Sequence, residues 1–484
     1  MKKISLFLQL LLGSAFSYGQ SFNVNITNGY GDGVFTVGDT VHIWAKEMTA
    51  TQSFAFWTGD SIFLETPEEW HTTFIMPAQN VNLSANYVAI PAVILENIQC
   101  VDTIHEVYYY FPPTPVGLVF LFHGTGGEAL NWVDAPENFQ MFRDLIANNF
   151  AVVALTSEEI TRNIDIDGDL ELHWIKDSLS VSNNVDIGNI AALIDTFETR
   201  GYISPSLDKY AIGMSNGAVF AGTASYGLNF TAAAPYCAGG VPQVYLNTNT
   251  HTQWCMAKYD NHPNVGPGGY TNAVNFSNLL ISNGKCSRTF LKDRTPVYPE
   301  IFMRVPSVTL SQTQAIYNEL QSSGFFDVIN GYNYMNLYSD SIFTLAFMYP
   351  ATYPVLNTLI GFPNIKRGVS DQMDVCHSGH NFFSDHNKRT IAFLLDPCAF
   401  STDINEHTFS NLSFAAYPNP SSTSLIIEIN LPLKNHTLLL LNSYGQLILQ
   451  IETTDSSTIL DVSELPSGLY FLIVDNETKK IVIN

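Results

Sequence analysis

Positively charged residues are scarce in this sequence. It holds 21 Lys and Arg against 44 Asp and Glu, which gives a formal charge of −23 at neutral pH. A field of this sign repels nucleic acid and anionic membrane surfaces, so we expect neither as a partner. Charged residues make up only 13% of the chain and hydrophobic ones 46%, a composition that excludes a disordered protein and can fill sizeable cores.

Long apolar runs are also missing. No stretch reaches the ~18 residues that a membrane-spanning helix needs, so we expect no membrane span. The apolar run at residues 4–12 follows two lysines and precedes small residues. This order is typical of a secretory signal peptide, which we predict over residues 1–20.

Cysteines are few and lie only in the middle of the chain. The six are Cys100, Cys237, Cys255, Cys286, Cys376 and Cys398. In an exported chain they are compatible with disulfides, of which 15 complete pairings are open, or with free buried thiols. No Cys/His spacing suggests a zinc site.

Residues 21–90 alternate apolar and polar side chains between turn residues, which predicts a small all-β module. The segment resembles a bacterial β-repeat of surface proteins. The residues that carry the resemblance are Asn28-Gly29, Gly38-Asp39-Thr40-Val41, Phe56-Trp57-Thr58-Gly59-Asp60 and Met76-Pro77-Ala78. Two roles stay open for it: a module that contacts substrate or a surface, or a spacer.

Residues 91–398 show a different hydrophobicity pattern, in which continuous apolar runs alternate with segments of helical periodicity. This order predicts an α/β domain with a mostly parallel sheet flanked by helices. The predicted strands are residues 116–123, 150–156, 210–212, 232–237, 253–257 and a short final one at 375–377, and the predicted helices are 139–147, 185–200, 273–282 and 388–395.

Residues 287–370 interrupt that alternation of predicted strands and helices. They are rich in aromatic residues and hold a predicted helix at 311–322. Because they lie between two core elements, we interpret them as a lid-like insertion over the site, with a simple packing elaboration as the alternative. We expect soluble short-chain or aromatic esters to pass such a lid better than solid polyester.

A polar linker at 399–413 precedes a last all-β segment, residues 414–484. This segment resembles the C-terminal sorting domain of type IX secretion substrates. The residues that carry the resemblance are Tyr417-Pro418-Asn419-Pro420, Tyr444-Gly445, Leu465-Pro466-Ser467-Gly468-Leu469-Tyr470-Phe471 and the closing residues 479–484. The resemblance implies the type IX secretion machinery as a partner and a secreted or cell-surface location.

The chemistry centres on Gly213-Met214-Ser215-Asn216-Gly217, a G-x-S-x-G box. A short apolar strand enters it and a small-residue helix start leaves it, as in a nucleophile elbow. Such a turn places Ser215 in a strained conformation with its Oγ exposed, and the glycines avoid collisions across the turn. Ser215 is therefore the candidate nucleophile.

A nucleophilic serine needs a base and an acid that orients the base. In the α/β-hydrolase fold, which these patterns predict, the order along the chain is Ser, then Asp or Glu, then His. Asp260 follows a predicted strand directly and is the candidate acid. His377 and His380 are the candidate bases, and we favour His380, which follows a glycine as the family's histidine often does.

An oxyanion hole needs two backbone N–H groups. Asn216, one residue after the nucleophile, supplies the first by position. The loop His123-Gly124-Thr125-Gly126-Gly127 follows an early buried strand, and we expect the N–H of Thr125 to be the second donor.

The resemblance becomes closer at Asn184-Val185-Asp186-Ile187-Gly188, at the serine box and at Tyr259-Asp260 with Gly268-Gly269. These residues resemble secreted esterases of the polyhydroxybutyrate depolymerase and feruloyl esterase group. The resemblance implies a serine esterase that acts through an acyl-enzyme on short-chain, hydroxy-acid or hydroxycinnamoyl esters. Ala218, Met256-Ala257 and the insertion depart from the group. The alternatives are a non-catalytic surface-attached binding protein and a polyester depolymerase.

One further segment has metal-ligand spacing. Asp165, Asp167 and Asp169 alternate with other residues around Gly168, like the opening of a calcium loop. Trp174 stands where such a loop carries its bidentate Glu, so a solvated acidic turn is the alternative. We expect no required cofactor, and any calcium would be structural.

Overall fold

The computed structural model describes residues 20–263, 266–399, 414–429, 436–442, 447–455, 457–474 and 477–483. These residues divide into two compact units, residues 1–399 and 400–484. The predicted signal peptide and linker lie almost wholly outside the described residues.

The N-terminal module is all-β, as predicted. Two sheets, with strand orders β3-β1-β7-β5 and β2-β4-β6, contribute to one core that includes Val41, Ile43, Trp57 and Phe74. Its elements are β1 (Ser21–Thr27), β2 (Gly29–Tyr30), β3 (Gly33–Thr36), β4 (Thr40–Ala45), β5 (Gln52–Gly59), a 3-10 turn (Ser61–Phe63), β6 (His71–Ile75) and β7 (Val81–Ala89).

The second part of the first unit alternates strands and helices. Its elements are β8 (Ile94–Gln99), β9 (Ile104–Tyr110), β10 (Leu118–Phe122), α1 (Asn131–Asp134), α2 (Pro136–Ala147), β11 (Ala151–Leu155), α3 (Glu158–Arg162), α4 (Val185–Thr199), β12 (Lys209–Met214), α5 (Asn216–Leu228), β13 (Ala232–Tyr236), α6 (Pro242–Tyr245), β14 (His251–Ala257), α7 (Gly266–Ser282) and β15 (Ser287–Lys292).

The eight strands β8 to β15 form one sheet in the order β8-β9-β11-β10-β12-β13-β14-β15. Only β9 runs antiparallel to its neighbours. Strands β10, β11 and β13 are buried along their whole length because helices cover both faces. With an elbow after the fifth strand of the sheet in chain order, this is the α/β-hydrolase fold, and the predicted fold class is confirmed.

A strand at residues 287–292, which the sequence analysis assigned to the insertion, corrects the boundary predicted at 287. Ser287–Lys292 pairs with β14 over its length and is the eighth core strand, so the inserted segment begins after it. The remaining elements are a 3-10 turn (Ile301–Arg304), α8 (Leu310–Ser322), β16 (Phe326–Ile329), β17 (Tyr332–Met335), α9 (Ser339–Met348), α10 (Pro354–Ile360), α11 (Pro363–His377) and α12 (Asn387–Leu395).

The short strand predicted at 375–377 is also wrong. These residues end α11, whose buried side chains Val369, Met373 and Cys376 recur at helical spacing. Residues 375–377 end a helix face that packs on the core. A short run of buried residues cannot by itself distinguish a strand from a helix segment.

The insertion packs mainly against the N-terminal module. One hydrophobic core joins module residues such as Trp44 with Tyr298, Phe302 and Phe343 of the insertion. The ring centroids of Trp44 and Tyr298 are 4.6 Å apart. A module that shares a core with another segment is an integral part of the fold, so the spacer interpretation is wrong.

One disulfide joins Cys286, just before β15, to Cys398, just after α12. It ties the edge of the sheet to the end of the first unit. The other four cysteines are free and buried, so both interpretations of the cysteines hold, each for part of the set.

The second unit is an all-β domain. Two sheets, with orders β18-β19-β22 and β21-β20-β23-β24, contribute to a core that includes Leu425, Leu440 and Leu472. Its strands are β18 (Phe414–Tyr417), β19 (Ser424–Ile429), β20 (His436–Asn442), β21 (Leu447–Thr453), β22 (Ser457–Asp461), β23 (Gly468–Val474) and β24 (Glu477–Ile483).

Candidate active site

Ser215 lies at the turn between β12 and α5. Its backbone is at φ 57° and ψ −122°, a conformation that costs a non-glycine residue roughly 1–3 kcal/mol. A Cβ on Gly213 would lie 2.0 Å from the Gly217 carbonyl oxygen, and one on Gly217 would lie 2.3 Å from the Phe122 carbonyl oxygen. Only glycine fits at both positions, which is the geometry expected of a nucleophile elbow.

Three side chains from three loops at one sheet edge form a hydrogen-bonded chain. Ser215 Oγ lies 2.8 Å from His380 Nε2, and His380 Nδ1 lies 2.7 Å from Asp260 Oδ2. Asp260 follows β14, and His380 lies in the loop between α11 and α12. The Asp260 side chain is only 5% exposed, and its other oxygen accepts the N–H of His262 at 3.0 Å. The structure thus brings the three predicted residues together.

His377, the alternative base, is directed elsewhere. It is the last residue of α11, and its Nδ1 lies 2.9 Å from the Met335 carbonyl oxygen. Its ring packs edge-on against Tyr338, with 4.4 Å between ring centroids. Of the two candidates, only His380 is hydrogen-bonded to Ser215.

The predicted oxyanion donors are the backbone N–H groups of Asn216 and Thr125. Asn216 begins α5, and the N–H groups of a first helical turn have no intrahelical acceptor. The Gly124 carbonyl accepts from His123 Nδ1 at 2.7 Å and from the Gly127 N–H at 3.0 Å. Because C=O and N–H point in opposite directions across a trans peptide, the Thr125 N–H points away from the two groups that donate to the Gly124 carbonyl. Thr125, Ser215 and Asn216 line one cleft.

His123 was missed as a functional residue by the sequence reasoning, although it opens the glycine-rich loop. It is 2% exposed, and burial lowers its pKa to about 4. Its Nε2 accepts the Ser157 N–H at 3.0 Å, which leaves the proton on Nδ1 for the Gly124 carbonyl. The neutral ring therefore fixes the orientation of the Gly124–Thr125 peptide.

Residues 171–176 form a wall of the cleft that no local pattern indicated. The Asn216 side chain holds this wall, accepting the Trp174 N–H at 2.9 Å and donating to the Trp174 carbonyl at 3.3 Å. The Trp174 indole N–H donates to the His123 carbonyl at 3.0 Å. Wall, elbow and glycine-rich loop are thereby joined.

The cleft has a volume of about 390 Å³ and a lining of mixed polar and apolar character. Glu171, His173, Lys176, His262 and Asn272 contribute polar side chains, and several glycines leave room between them. Among the described residues, none from the insertion lines the cleft. The lid interpretation is therefore wrong, because the aromatic residues of the insertion are largely used in the core shared with the N-terminal module.

His262 is a second residue that the sequence reasoning missed. Its ring stacks on His380 with 4.4 Å between centroids and 25° between planes. Burial, and then the nearby His380, lower its pKa. The lowered pKa favours the neutral form of the His262 ring.

Asp165, Asp167 and Asp169 lie together, with one carboxylate oxygen of each within 4.8 Å of the others. They also bind their own loop. Asp165 accepts the Gly168 and Leu170 N–H groups at 2.6 and 3.0 Å, and Asp169 pairs with His173 at 2.7 Å. The cluster has the oxygen ligands that calcium prefers and part of the hydrogen bonding of an acidic turn.

Comparison with known proteins identifies the last segment. Residues 415–484 match the model of the secretion system C-terminal sorting domain. The chain is therefore a secreted or cell-surface protein that uses the type IX secretion machinery. Among the described residues, no helix is long and apolar enough to cross a membrane. No curated protein matches the chain.

Solved structures similar to this chain include three hydrolases. Epoxide Hydrolase A from Mycobacterium thermoresistibile is 14% identical, with 31% of this chain and 41% of that one covered and a TM-score of 0.23. Acylaminoacyl peptidase from Pyrococcus horikoshii is 8% identical, with 61% and 54% covered and a TM-score of 0.31. Dienelactone hydrolase from Anabaena variabilis is 14% identical, with 48% and 98% covered and a TM-score of 0.31. This chain thus spans less than two thirds of the first two. The fold assignment rests on the strand order and the elbow.

Proposed function

We propose that the chain is a secreted serine esterase that hydrolyses carboxylic esters through an acyl-enzyme. The observation that carries the proposal is the Ser215–His380–Asp260 hydrogen-bond chain beside two N–H groups on one open cleft. Each part has the role that acyl transfer requires: nucleophile, base, orienting acid and oxyanion donors.

In the first half of the reaction, Ser215 Oγ attacks the ester carbonyl carbon while His380 Nε2 takes its proton. Asp260 accepts a hydrogen bond from the Nδ1–H of His380 and stabilises the imidazolium. The N–H groups of Asn216 and Thr125 hold the negative oxygen of the tetrahedral intermediate. His380 then gives its proton to the departing alkoxide, which leaves as the alcohol.

In the second half, water attacks the acyl-Ser215 carbonyl and His380 takes the water proton. The tetrahedral intermediate collapses, the acid leaves, and His380 returns the proton to Ser215 Oγ. The rival function is a non-catalytic binding protein on the same fold. Hydrolysis of p-nitrophenyl acetate by the wild-type chain, lost in Ser215→Ala, distinguishes the two.

The size of the cleft favours small substrates. Its volume of about 390 Å³ and its mixed polar and apolar lining suit short-chain, hydroxy-acid or hydroxycinnamoyl esters better than long fatty acyl groups. With no insertion residue lining this cleft, nothing in the insertion's position favours soluble esters over polymer, so polyester depolymerisation stays the second candidate. A panel of soluble aryl, short-chain and hydroxy-acid esters beside polyester film tests both.

We also propose a structural calcium ion at Asp165, Asp167 and Asp169. The three carboxylates supply oxygen ligands at one point of the loop that leads into the wall of the cleft. A chelator should then lower the melting temperature, and calcium should restore it. An unchanged melting curve would show that the loop is an acidic turn that binds no calcium.

A further inference from the structure

The wall of the catalytic cleft, residues 171–176, is bonded to both segments that carry the predicted oxyanion donors. The main-chain N–H and carbonyl of Trp174 pair with the side chain of Asn216, the first residue of α5. The Trp174 indole N–H donates to the His123 carbonyl at 3.0 Å, and His123 opens the glycine-rich loop that carries Thr125. One residue of the wall is thus bonded to both donor segments.

The Trp174 ring also packs between these two segments. It is fully buried. It stacks on Phe220 of α5, with 4.6 Å between ring centroids and 12° between planes. Its other close neighbour is Phe122, the last residue of β10 before the glycine-rich loop, which meets it edge-on with 5.0 Å between centroids. The ring therefore has little freedom to move, and its indole N–H keeps one direction.

The start of α4 anchors the wall from a third direction. The Ile175 N–H donates to the Asp186 carboxylate at 2.9 Å, and the Ile175 carbonyl accepts from the Asn184 side chain at 2.7 Å. Both polar side chains are buried, so water does not compete for these bonds. Because both main-chain groups of Ile175 are held, the neighbouring Trp174 is fixed to α4 as well as to the two donor segments.

We propose that Trp174 is a positioning residue that sets the separation of the two oxyanion donors. The inference rests on the proposed esterase function, in which the N–H groups of Asn216 and Thr125 hold the negative oxygen. Two donors stabilise one oxygen only when both lie at hydrogen-bond distance from it, and an error of about 1 Å in such a site can lower the rate about 10²-fold. Trp174 fixes this separation because it is bonded to both donor segments.

The test is hydrolysis of p-nitrophenyl acetate by Trp174→Phe, which keeps a buried aromatic ring and loses the indole N–H. We expect kcat to fall about tenfold or more and KM to stay within about threefold, because the oxyanion forms only after the substrate is bound. Phenylboronic acid forms a tetrahedral adduct with a reactive serine. Its affinity should fall by the same factor as kcat, which a purely structural role of Trp174 would not require.

Trp57→Phe is the matched control. Trp57 is buried in the N-terminal module, and its indole N–H donates to the main-chain carbonyl of Glu69, also at 3.0 Å. Each variant leaves one buried carbonyl without its donor, so both should lose similar stability, but Trp57→Phe should keep kcat within about twofold. Asn216→Ala removes the other two bonds to Trp174 and keeps the Asn216 N–H group's place in the main chain. It should lower kcat in the same way as Trp174→Phe, and the two changes together should cost less than the product of their separate effects.

Three outcomes would overturn the proposal and leave the esterase function in place. The first is a wild-type kcat in folded Trp174→Phe, and the second is an equal loss of kcat in Trp174→Phe and Trp57→Phe. The third is a lower kcat with unchanged affinity for phenylboronic acid. If Trp174→Phe does not fold, a wild-type kcat in Asn216→Ala overturns the proposal instead. A wild-type chain that does not hydrolyse p-nitrophenyl acetate would contradict the esterase function itself, and this proposal with it.

Discussion

His71 of the N-terminal module pairs with Asp385 of the loop that carries His380. Their Nδ1 and Oδ1 atoms are 3.5 Å apart, and both side chains are nearly buried. Asp385 also lies 3.4 Å from the Lys292 ammonium group at the end of β15. Burial opposes ionisation of the Asp385 carboxyl, but Lys292 and His71 outweigh it and hold its pKa well below the usual range. The module therefore contributes directly to the position of the loop that carries His380.

The first prediction concerns the core that the module shares with the insertion. Trp44 is 4% exposed and stacks on Tyr298. Trp44→Ala should lower the free energy of unfolding by about 3–5 kcal/mol, because a large buried ring is lost. Phe56→Ala is the control in the same module, since Phe56 is 47% exposed, and it should change stability by less than about 1 kcal/mol. Equal effects of the two changes in denaturant unfolding would contradict the shared core.

The second prediction concerns pH. Glu69 is fully buried, and burial raises its pKa from an ordinary 4.5 to about 8. The folded state therefore binds this proton more tightly than the unfolded state, and stability falls as pH rises from about 4.5 to 8. Glu69→Gln should remove this loss. The difference in free energy of unfolding between the variant and the wild type should therefore grow with pH, to roughly 2–4 kcal/mol in favour of the variant at pH 8.

The control for this change is the exposed neighbour Glu68. Glu68→Gln should unfold in parallel with the wild type in urea at every pH from 5 to 8. If the difference between Glu69→Gln and the wild type is the same at pH 5 and pH 8, Glu69 is not protonated preferentially in the folded state.

The third prediction separates the two histidines. His380→Ala should lower kcat/KM about 10⁴-fold, since it removes the base. His377→Ala should retain activity within about tenfold, because its ring bonds Met335 and packs on Tyr338 rather than on Ser215. Ester hydrolysis by the two purified variants decides the matter, and the reverse order of activities would assign the base to His377.

The local features of the site follow from the sequence because they depend on few neighbours along the chain. The strands at 118–122 and 151–155 are continuous apolar runs, as burial on both faces requires. The elbow is identifiable because Gly213 and Gly217 have no room for a Cβ. The order of Ser215, Asp260 and His380 along the chain then indicates which acid and base to expect.

The features that the sequence analysis missed or predicted wrongly depend on contacts between residues that are distant in sequence. Ser287–Lys292 is an edge strand with mostly half-buried side chains, so it lacks the apolar run of a central strand. Trp174 is positioned by Asn216, 42 residues away. The aromatic residues of the insertion look the same in sequence whether they cover a cleft or pack on a module. The two roles differ in which surface the aromatic residues contact. That surface is an apolar face of the N-terminal module, and the sequence does not show which segment covers it.

The fourth prediction concerns the sorting domain. Residues 414–484 belong to the second compact unit, residues 400–484, and none of the candidate site residues lies there. Removing them should leave kcat/KM of the purified protein unchanged and should stop delivery to the cell surface. Activity assays of the truncated protein and of cell fractions check both parts. Normal surface delivery of the truncated protein would contradict the role of this segment.

The most direct test of the account is mass spectrometry of the chain after reaction with an organophosphonate ester, which traps an activated serine. We predict one adduct, on the peptide that contains Ser215, with loss of ester hydrolysis in proportion to labelling. Folded Ser215→Ala should be neither labelled nor active. Hydrolysis by that variant at near wild-type rates, or labelling of a different residue in step with inactivation, would contradict the assignment of Ser215 as the nucleophile.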